Sequence, residues 1–301
     1  MKCSKLSLIR PINSVMVGIG IIVGEVIAYS GIPPLRHIIL GFLVGFLASA
    51  GIMALNDYYD VEIDKINAPR RPIPCGAIEP KNAMLLGISL VLLSILVAFL
   101  QSPLAGIFAS ITLFLDVLYD RRLKRSGFPG NLIVSYSVAA PFIYGALALS
   151  RSVSDLIIAI SLMAFLSNLG REIAKGILDV EGDRLAGAKT IAVTLGVRAA
   201  RILSFILVLS AVIVSIILPL IEALNVIYYL VIPTTDVMLI HASLIVLLSD
   251  EERIRKAKDE MRLAMLIAMV IFILMALINA PAYKLEINHK YLFSSSGIFS
   301  S

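Results

Sequence analysis

The sequence predicts an all-α polytopic membrane protein: nine transmembrane helices, built as two pseudo-repeated four-helix halves followed by one further helix. Three observations carry that expectation. Of 301 residues, 59% are hydrophobic and 16% charged, with a mean hydropathy of +0.94, against about 45–50% apolar and about 25% charged in an ordinary soluble domain. Apolar runs near the roughly 20 residues that a helix needs to cross a hydrocarbon core recur along the chain. A short acidic motif also occurs twice, at matching places in the series of spans. The same composition excludes a disordered chain, and two cysteines are too few for a disulfide-framed secreted domain. Cys3 and Cys75 are expected as free thiols.

Between charge clusters the spans fall near 12–31, 36–56, 83–101, 103–119, 131–149, 153–169, 201–219, 224–248 and 263–282. The N-terminus and the loops 57–82, 120–130, 170–201 and 249–262 hold 22 of the 26 Lys and Arg, leaving Arg36, Arg151, Lys284 and Lys290 on the other side. By the positive-inside rule, the N-terminus and the charged loops are cytoplasmic and the C-terminus is outside, in a multi-pass protein of the cell membrane. The formal charge of +5 is therefore a topology signal, and no nucleic-acid partner is expected. Ala28-Tyr29-Ser30 looks like a signal-peptidase site, but the stretch ahead of it is too long for an h-region and contains Glu25, so it reads as an uncleaved span. Tyr228 and Tyr229 suit a membrane interface. Residues 1–283 form one transmembrane domain, and 284–301, with Ser294-Ser295-Ser296, are expected as a flexible tail. No obligate protein partner is evident.

The repeated motif reads D-V-E-x-D-(K/R), as Asp60 to Lys65 and as Asp179 to Arg184. Each copy follows an even-numbered span, the second and the sixth, which marks spans one to four and five to eight as halves of a duplication. Asn56, Asp60 and Asp64 are four apart, and at about 100° per residue they drift only about 40° per step, so they share a helix face. Arg171, Lys175, Asp179 and Asp183 form a similar stripe, which Gly176 and Gly182 can interrupt. A ladder of i,i+4 salt bridges is the plainer reading, but such exposed pairs are worth only about 0.3–0.5 kcal/mol. Carboxylates with no Cys and little His nearby suit a hard cation such as Mg²⁺, with Asp60, Asp64, Asp179 and Asp183 as ligands. Mg²⁺ usually completes its shell with substrate phosphate oxygens. Arg70, Arg71, Lys124, Arg171, Lys175 and Lys189 are close enough in sequence to hold the rest of a diphosphate.

With these residues the chain resembles the UbiA superfamily of intramembrane prenyltransferases. The first family motif, N-x-x-x-D-x-x-x-D, appears as Asn56, Asp60 and Asp64, and continues through Arg70-Arg71-Pro72-Ile73-Pro74-Cys75-Gly76, where Cys75 replaces the usual Ser. The second, D-x-x-x-D, appears as Asp179 and Asp183 after Lys175. Tyr119 and Lys124 match a Tyr and a Lys that follow the fourth span, and Arg10, Pro11 and Asn13 resemble the usual entry to the first helix. The resemblance runs to about residue 282. It implies a helical bundle around a central cavity, capped on the cytoplasmic side by metal-holding loops and open laterally to lipid. It also adds Asn56 to the metal group.

The implied reaction is Mg²⁺-dependent transfer from a prenyl diphosphate, through an allylic cation that Tyr119 or Tyr136 could face. Arg10, Asn13 and Asp116 are candidates for the acceptor side of the cavity. The string from Arg171 to Asp183, with Lys189-Thr190 after it, resembles the archaeal geranylgeranylglyceryl phosphate branch of the family. That branch implies transfer of a geranylgeranyl group from geranylgeranyl diphosphate to a lipid glycerol phosphate, whose phosphate could use Arg10, Lys124 and Arg125. An aromatic acceptor of quinone biosynthesis, 4-hydroxybenzoate or dihydroxynaphthoate, is the alternative. A transporter, suggested by Glu25, Asp116, Asp236 and His241 within spans, is a remote reading, because it would concentrate such groups at the midplane of paired spans, whereas here the chemistry gathers at the cytoplasmic ends. A CDP-alcohol phosphotransferase is rejected, since residues 56–76 lack its pattern.

Overall fold

The computed structural model describes residues 3–149 and 152–294, apart from the side chains of 67, 276 and 279–294. Regular structure is helical throughout, with no strand among the described residues. A 3-10 turn (Lys5–Ile9) leads into α1 (Pro11–Tyr29), α2 (Leu35–Tyr59) and the short α3 (Val61–Asn67). Next come α4 (Pro80–Gln101) and α5 (Pro103–Leu118), the latter running into a π-helical turn, Tyr119–Leu123. The second half has α6 (Phe128–Leu149), α7 (Asp155–Leu178), the short α8 (Val180–Leu185) and α9 (Ile191–Thr194), α10 (Val197–Ile221) and α11 (Val226–Leu248). The last helix is α12 (Glu251–Ser294).

Local chemistry sets the helix ends. Proline opens α1, α4 and α5, where its missing N–H would have had no intrahelical partner. Ser102, Ser154 and Asn225 cap α5, α7 and α11 by accepting from the backbone N–H groups of Ala105, Ile157 and Ile227. Among the described residues, eight helices are long and apolar enough to cross a membrane, so the chain is a multi-pass membrane protein. The expected ninth span, 263–282, falls inside α12, and Arg151 lies outside the described residues. The tail expected from 284 instead continues as helix to Ser294, since 282–293 contains neither Gly nor Pro; residues 295–301 lie outside the described set. The other large difference is α7, which runs to Leu178 rather than 169. Charge marks where a helix leaves lipid, not where it ends.

The two halves repeat in packing as well as in sequence. In the first, α1 meets α2, α2 meets α4 and α4 meets α5; in the second, α6, α7, α10 and α11 meet in the same order. Contact of α5 with α6, and of α12 with both α11 and α1, closes the ring. Lipid chains are as apolar as Leu, so helices in a bilayer gain by close backbone approach at small residues. The crossing of α1 and α6 works this way: a Cβ on Gly24 would lie 2.3 Å from the Phe142 carbonyl oxygen, and one on Gly145 2.4 Å from that of Ile21. Gly127, at φ 77°, packs against the Lys189 carbonyl, where a Cβ would come within 1.7 Å of the oxygen. The Lys189 N–H donates to the Arg125 carbonyl at 3.1 Å, so the loop after α5 is joined to the loop after α8.

Cys3 and Cys75 correct the expectation of free thiols: they form a disulfide. Their separation of 72 residues hid the pairing. Leu8 buries itself against Ala54, Ile73 and Ala83, which draws the N-terminal turn under the loop that carries Cys75. Alkylation of the unreduced purified protein should therefore leave both cysteines unmodified by mass spectrometry, and reduction should expose both. Two alkylated thiols without reductant would contradict the pairing.

Candidate active site

Both acidic motifs begin at a helix joint. Asp60 turns the chain from α2 into α3 with φ −91° and ψ 3°, and Asp179 makes the same turn from α7 into α8 with φ −106° and ψ 8°. The joints fall on the aspartates, not on Gly176 or Gly182. Backbone bonds cross them, from Asp60 N–H to the Asn56 carbonyl at 3.0 Å, and from Asp64 to Asp60 and Asp183 to Asp179 at 2.8 Å each. The four-residue spacing is thus kept, with Asn56, Asp60 and Asp64 on successive turns.

Each carboxylate of the first motif meets a cation from a different segment. Lys124 Nζ donates to Asp60 Oδ2, and Arg71 Nη1 to Asp64 Oδ2 at 2.5 Å. Asn56 Nδ2 donates to Asp120 Oδ1 at 2.7 Å. Asp57, a fully buried residue that the motif reading passed over, accepts from Arg10 at 2.7 Å on the same oxygen that lies 3.4 Å from Arg71. Arg10 reaches it from a left-handed backbone conformation, φ 41°, which costs of order 1 kcal/mol outside glycine. In the second half, Glu172 takes Arg171 at 2.6 Å and Lys175 at 3.7 Å. No pair of Lys175 with Asp179 occurs among the described residues. Burial and the neighbouring Asp179 carboxylate push the Asp183 carboxyl above its ordinary range, against Thr190 and Lys175, which lower it.

A cavity of about 700 Å³ lies between the halves. At one end it is lined by Asn56, Arg71, Lys124, Arg171 and Lys175, and Arg10, Asn13, Asp116 and Tyr119 also reach it. The four motif aspartates do not line it; Asp60 and Asp64 stand behind Lys124 and Arg71. Arg70 and Lys189 are exposed and lie off the cavity, and Tyr136 bonds to the lining residue Thr112 at 2.8 Å instead. Three charged lining residues were not among the expected site residues. Asp120 carried a signal, one turn past Asp116, as did Glu172, three residues before Lys175. Arg262, at the expected start of the ninth span, read only as a topology charge.

Among the described residues, no three acidic, His or Cys side chains converge as a ready metal cage. The donor set nonetheless fits Mg²⁺, which takes a few carboxylates and leaves places for phosphate oxygens. The cavity also holds buried polar atoms without a hydrogen-bond partner, Asp120 Oδ2 and Arg171 Nε. Such atoms are rare in folded proteins and point to a polar ligand.

The model of the UbiA prenyltransferase family matches residues 17–280, and the chain belongs to that family. A digeranylgeranylglyceryl phosphate synthase of Pyrococcus horikoshii is 38% identical over 272 residues, which are 90% of this chain and 96% of the relative. A solved structure described as digeranylgeranylglyceryl phosphate synthase in membranes is 29% identical, with a TM-score of 0.77, covering 90% of this chain and 96% of that one. A UbiA homolog from Archaeoglobus fulgidus bound to DMAPP and Mg²⁺ shares the fold at 19% identity and a TM-score of 0.67, covering 89% of this chain and 98% of that one.

Asp57→Ala removes the carboxylate that pairs with Arg10, a side chain about three-quarters buried, while Arg71 keeps Asp64. Breaking a buried pair leaves uncompensated charge and costs about 3 kcal/mol, reduced here by partial exposure. A drop of several degrees in the melting temperature in detergent is expected, with Asp57→Asn in between. An unchanged melting temperature for Asp57→Ala would show the bridge to be without structural weight.

Proposed function

We propose that this chain catalyses Mg²⁺-dependent transfer of a geranylgeranyl group from geranylgeranyl diphosphate to the free hydroxyl of geranylgeranylglyceryl phosphate. The observation that carries the reading is the number of cations that line the cavity. Arg71, Lys124, Arg171 and Lys175 suffice for a diphosphate, and Arg10 and Arg262 remain beside them. A diphosphate with a separate phosphate would use all six, whereas an aromatic acid with one carboxylate needs fewer. Arg262 has no ion-pair partner among the described residues. The similarity to the Pyrococcus horikoshii synthase over nearly the whole chain supports the same acceptor.

Asp60, Asp64, Asp179 and Asp183, with Asn56 nearby, would hold the metal. When bound, Mg²⁺ supplies a Lewis acid that stabilises the diphosphate as it leaves. Arg71, Lys124, Arg171 and Lys175 hold the diphosphate oxygens and stabilise the negative charge that grows on them. The bond from C1 to the diphosphate oxygen breaks with its electron pair on the oxygen, and the acceptor oxygen attacks the allylic cation at C1. We assign the released proton to Asp116, whose carboxylate lines the cavity and accepts from Ser137. Apolar walls keep water from the cation, with Tyr119 among the lining side chains and Arg10 and Asn13 on the acceptor side. The Lys and Arg distribution supports a cytoplasmic N-terminus and cytoplasmic aspartate loops, with the C-terminus outside.

Purified protein given geranylgeranyl diphosphate, Mg²⁺ and each acceptor in turn should form product with geranylgeranylglyceryl phosphate and lose it on chelation. Asp64→Ala and Asp183→Ala should each lower kcat by about 10²-fold or more. Product with 4-hydroxybenzoate or dihydroxynaphthoate, and none with the glycerol phosphate, would replace the acceptor. Near-native turnover of either variant would overturn the metal assignment.

A further inference from the structure

Two side-chain bonds join the end of α2 to the π-helical turn after α5, and together they form a ladder of two rungs. Asn56 Nδ2 donates to Asp120 Oδ1 at 2.7 Å, and Lys124 Nζ donates to Asp60 Oδ2. The partners are 64 positions apart in both rungs. The turn itself is closed by the Lys124 N–H, which donates to the Tyr119 carbonyl at 2.9 Å. The rungs run in opposite senses: in one an acid of α2 takes a cation, and in the other an amide of α2 gives its N–H to an acid of the turn. A diphosphate in the cavity can draw Lys124 away from Asp60. The rung between Asn56 and Asp120 holds no cation for it to take.

Asp120 is a costly residue for that rung. It is 7% exposed, its carboxylate receives one hydrogen bond among the described residues, from a neutral amide, and Oδ2 is buried with no partner. Burying an acid on those terms lowers stability, and a neutral side chain would cost less. The use of the charge follows from what it does to Asn56. An amide side chain has an NH₂ at one end and an oxygen at the other, and a neutral hydrogen-bonding neighbour can accept either order. An ionised carboxylate only accepts, so beside Asp120 the NH₂ end is fixed. Asn56 Oδ1 is then the end left over. It has no donor among the described residues, and Asn56 lines the cavity. With the amide turned over, an NH₂ would face the site instead and would repel a cation.

We propose that Asp120 is a positioning residue for the metal: by holding the Asn56 N–H, it aims Asn56 Oδ1 at the cation that Asp60 and Asp64 would hold. The inference rests on the metal reading of the proposed function. Asp120 acts through Asn56 and not by touching the metal, as the partners that stand behind metal ligands commonly do.

The test is the Mg²⁺ dissociation constant, measured by calorimetry on the full-length protein with a non-reactive geranylgeranyl diphosphate analogue present. Asp120→Asn keeps the side-chain volume and removes a buried charge, so it should fold with an unchanged or raised melting temperature, yet bind Mg²⁺ about tenfold more weakly. Asn56→Ala should lose about as much. Adding Asp120→Asn to Asn56→Ala should then change the constant by less than about threefold, because the acid has nothing left to aim. The exchange pair, Asn56→Asp with Asp120→Asn, reverses the hydrogen bond and keeps an oxygen toward the metal. It should bind Mg²⁺ at least as tightly as wild type, within about threefold, and it keeps the inference testable if Asp120→Asn alone fails to fold. Affinity within about threefold of wild type in Asp120→Asn would overturn the inference. A further loss of more than about threefold on adding Asp120→Asn to Asn56→Ala would do the same, making Asp120 a ligand itself, as would an exchange pair that binds as weakly as Asn56→Ala. A wild type that binds no Mg²⁺ with the analogue present would instead overturn the metal reading, and the inference with it.

Discussion

Charge balance at the mouth of a membrane-embedded cavity is the constraint on which the rest of the structure depends. A carboxylate that stays charged when removed from water must meet a cation or a metal, and Asp57, Asp60 and Asp64 lie almost wholly inside. Their partners come from three places: Arg10 before α1, Arg71 in the loop before α4, and Lys124 after the π-helical turn. Satisfying three acids therefore draws three distant segments over one end of the bundle. The second half is balanced differently. Arg171 and Lys175 are engaged by Glu172 on their own helix, and Asp179 stays exposed.

That asymmetry bears on how a polyanionic substrate is received. In the first half Asp60 and Asp64 stand behind Lys124 and Arg71, which line the cavity, so a diphosphate would meet those cations before the motif aspartates. Under the proposed function, the phosphate oxygens would take the cations, and the aspartates they release would be the ones to hold the metal. Beyond this charged rim the walls become largely apolar, which favours an isoprenoid and disfavours water. Family membership and the geometry thus agree on prenyl transfer.

Much of this was legible in the sequence, and what was not has physical causes. Hydropathy located the eight membrane-length helices because apolar runs between charged loops are a strong, local signal. The D-V-E-x-D repeat marked both acidic segments but not the helix joints, which fall on Asp60 and Asp179 instead of Gly176 or Gly182; the four-residue spacing survives through the backbone bonds from Asp64 to Asp60 and from Asp183 to Asp179. The extent of α7 was hidden because helix propensity continues past the point where lipid ends. Asp57 was hidden because its role depends on Arg10, 47 positions away, and the Cys3–Cys75 pair because a small cluster around Leu8, not the spacing, brings the two together. Cavity membership divided the candidate cations by facing, which no linear pattern contains: Arg71 lines the cavity while its neighbour Arg70 is exposed.

The most direct measurement of the central claim is Mg²⁺ affinity without donor, by calorimetry, for wild type and Lys124→Gln. If Lys124 holds Asp60 in competition with the metal, its removal tightens Mg²⁺ binding severalfold while it weakens binding of a non-reactive geranylgeranyl diphosphate analogue. Unchanged or weaker Mg²⁺ binding in Lys124→Gln would contradict the exchange and leave the ion pair a structural contact alone.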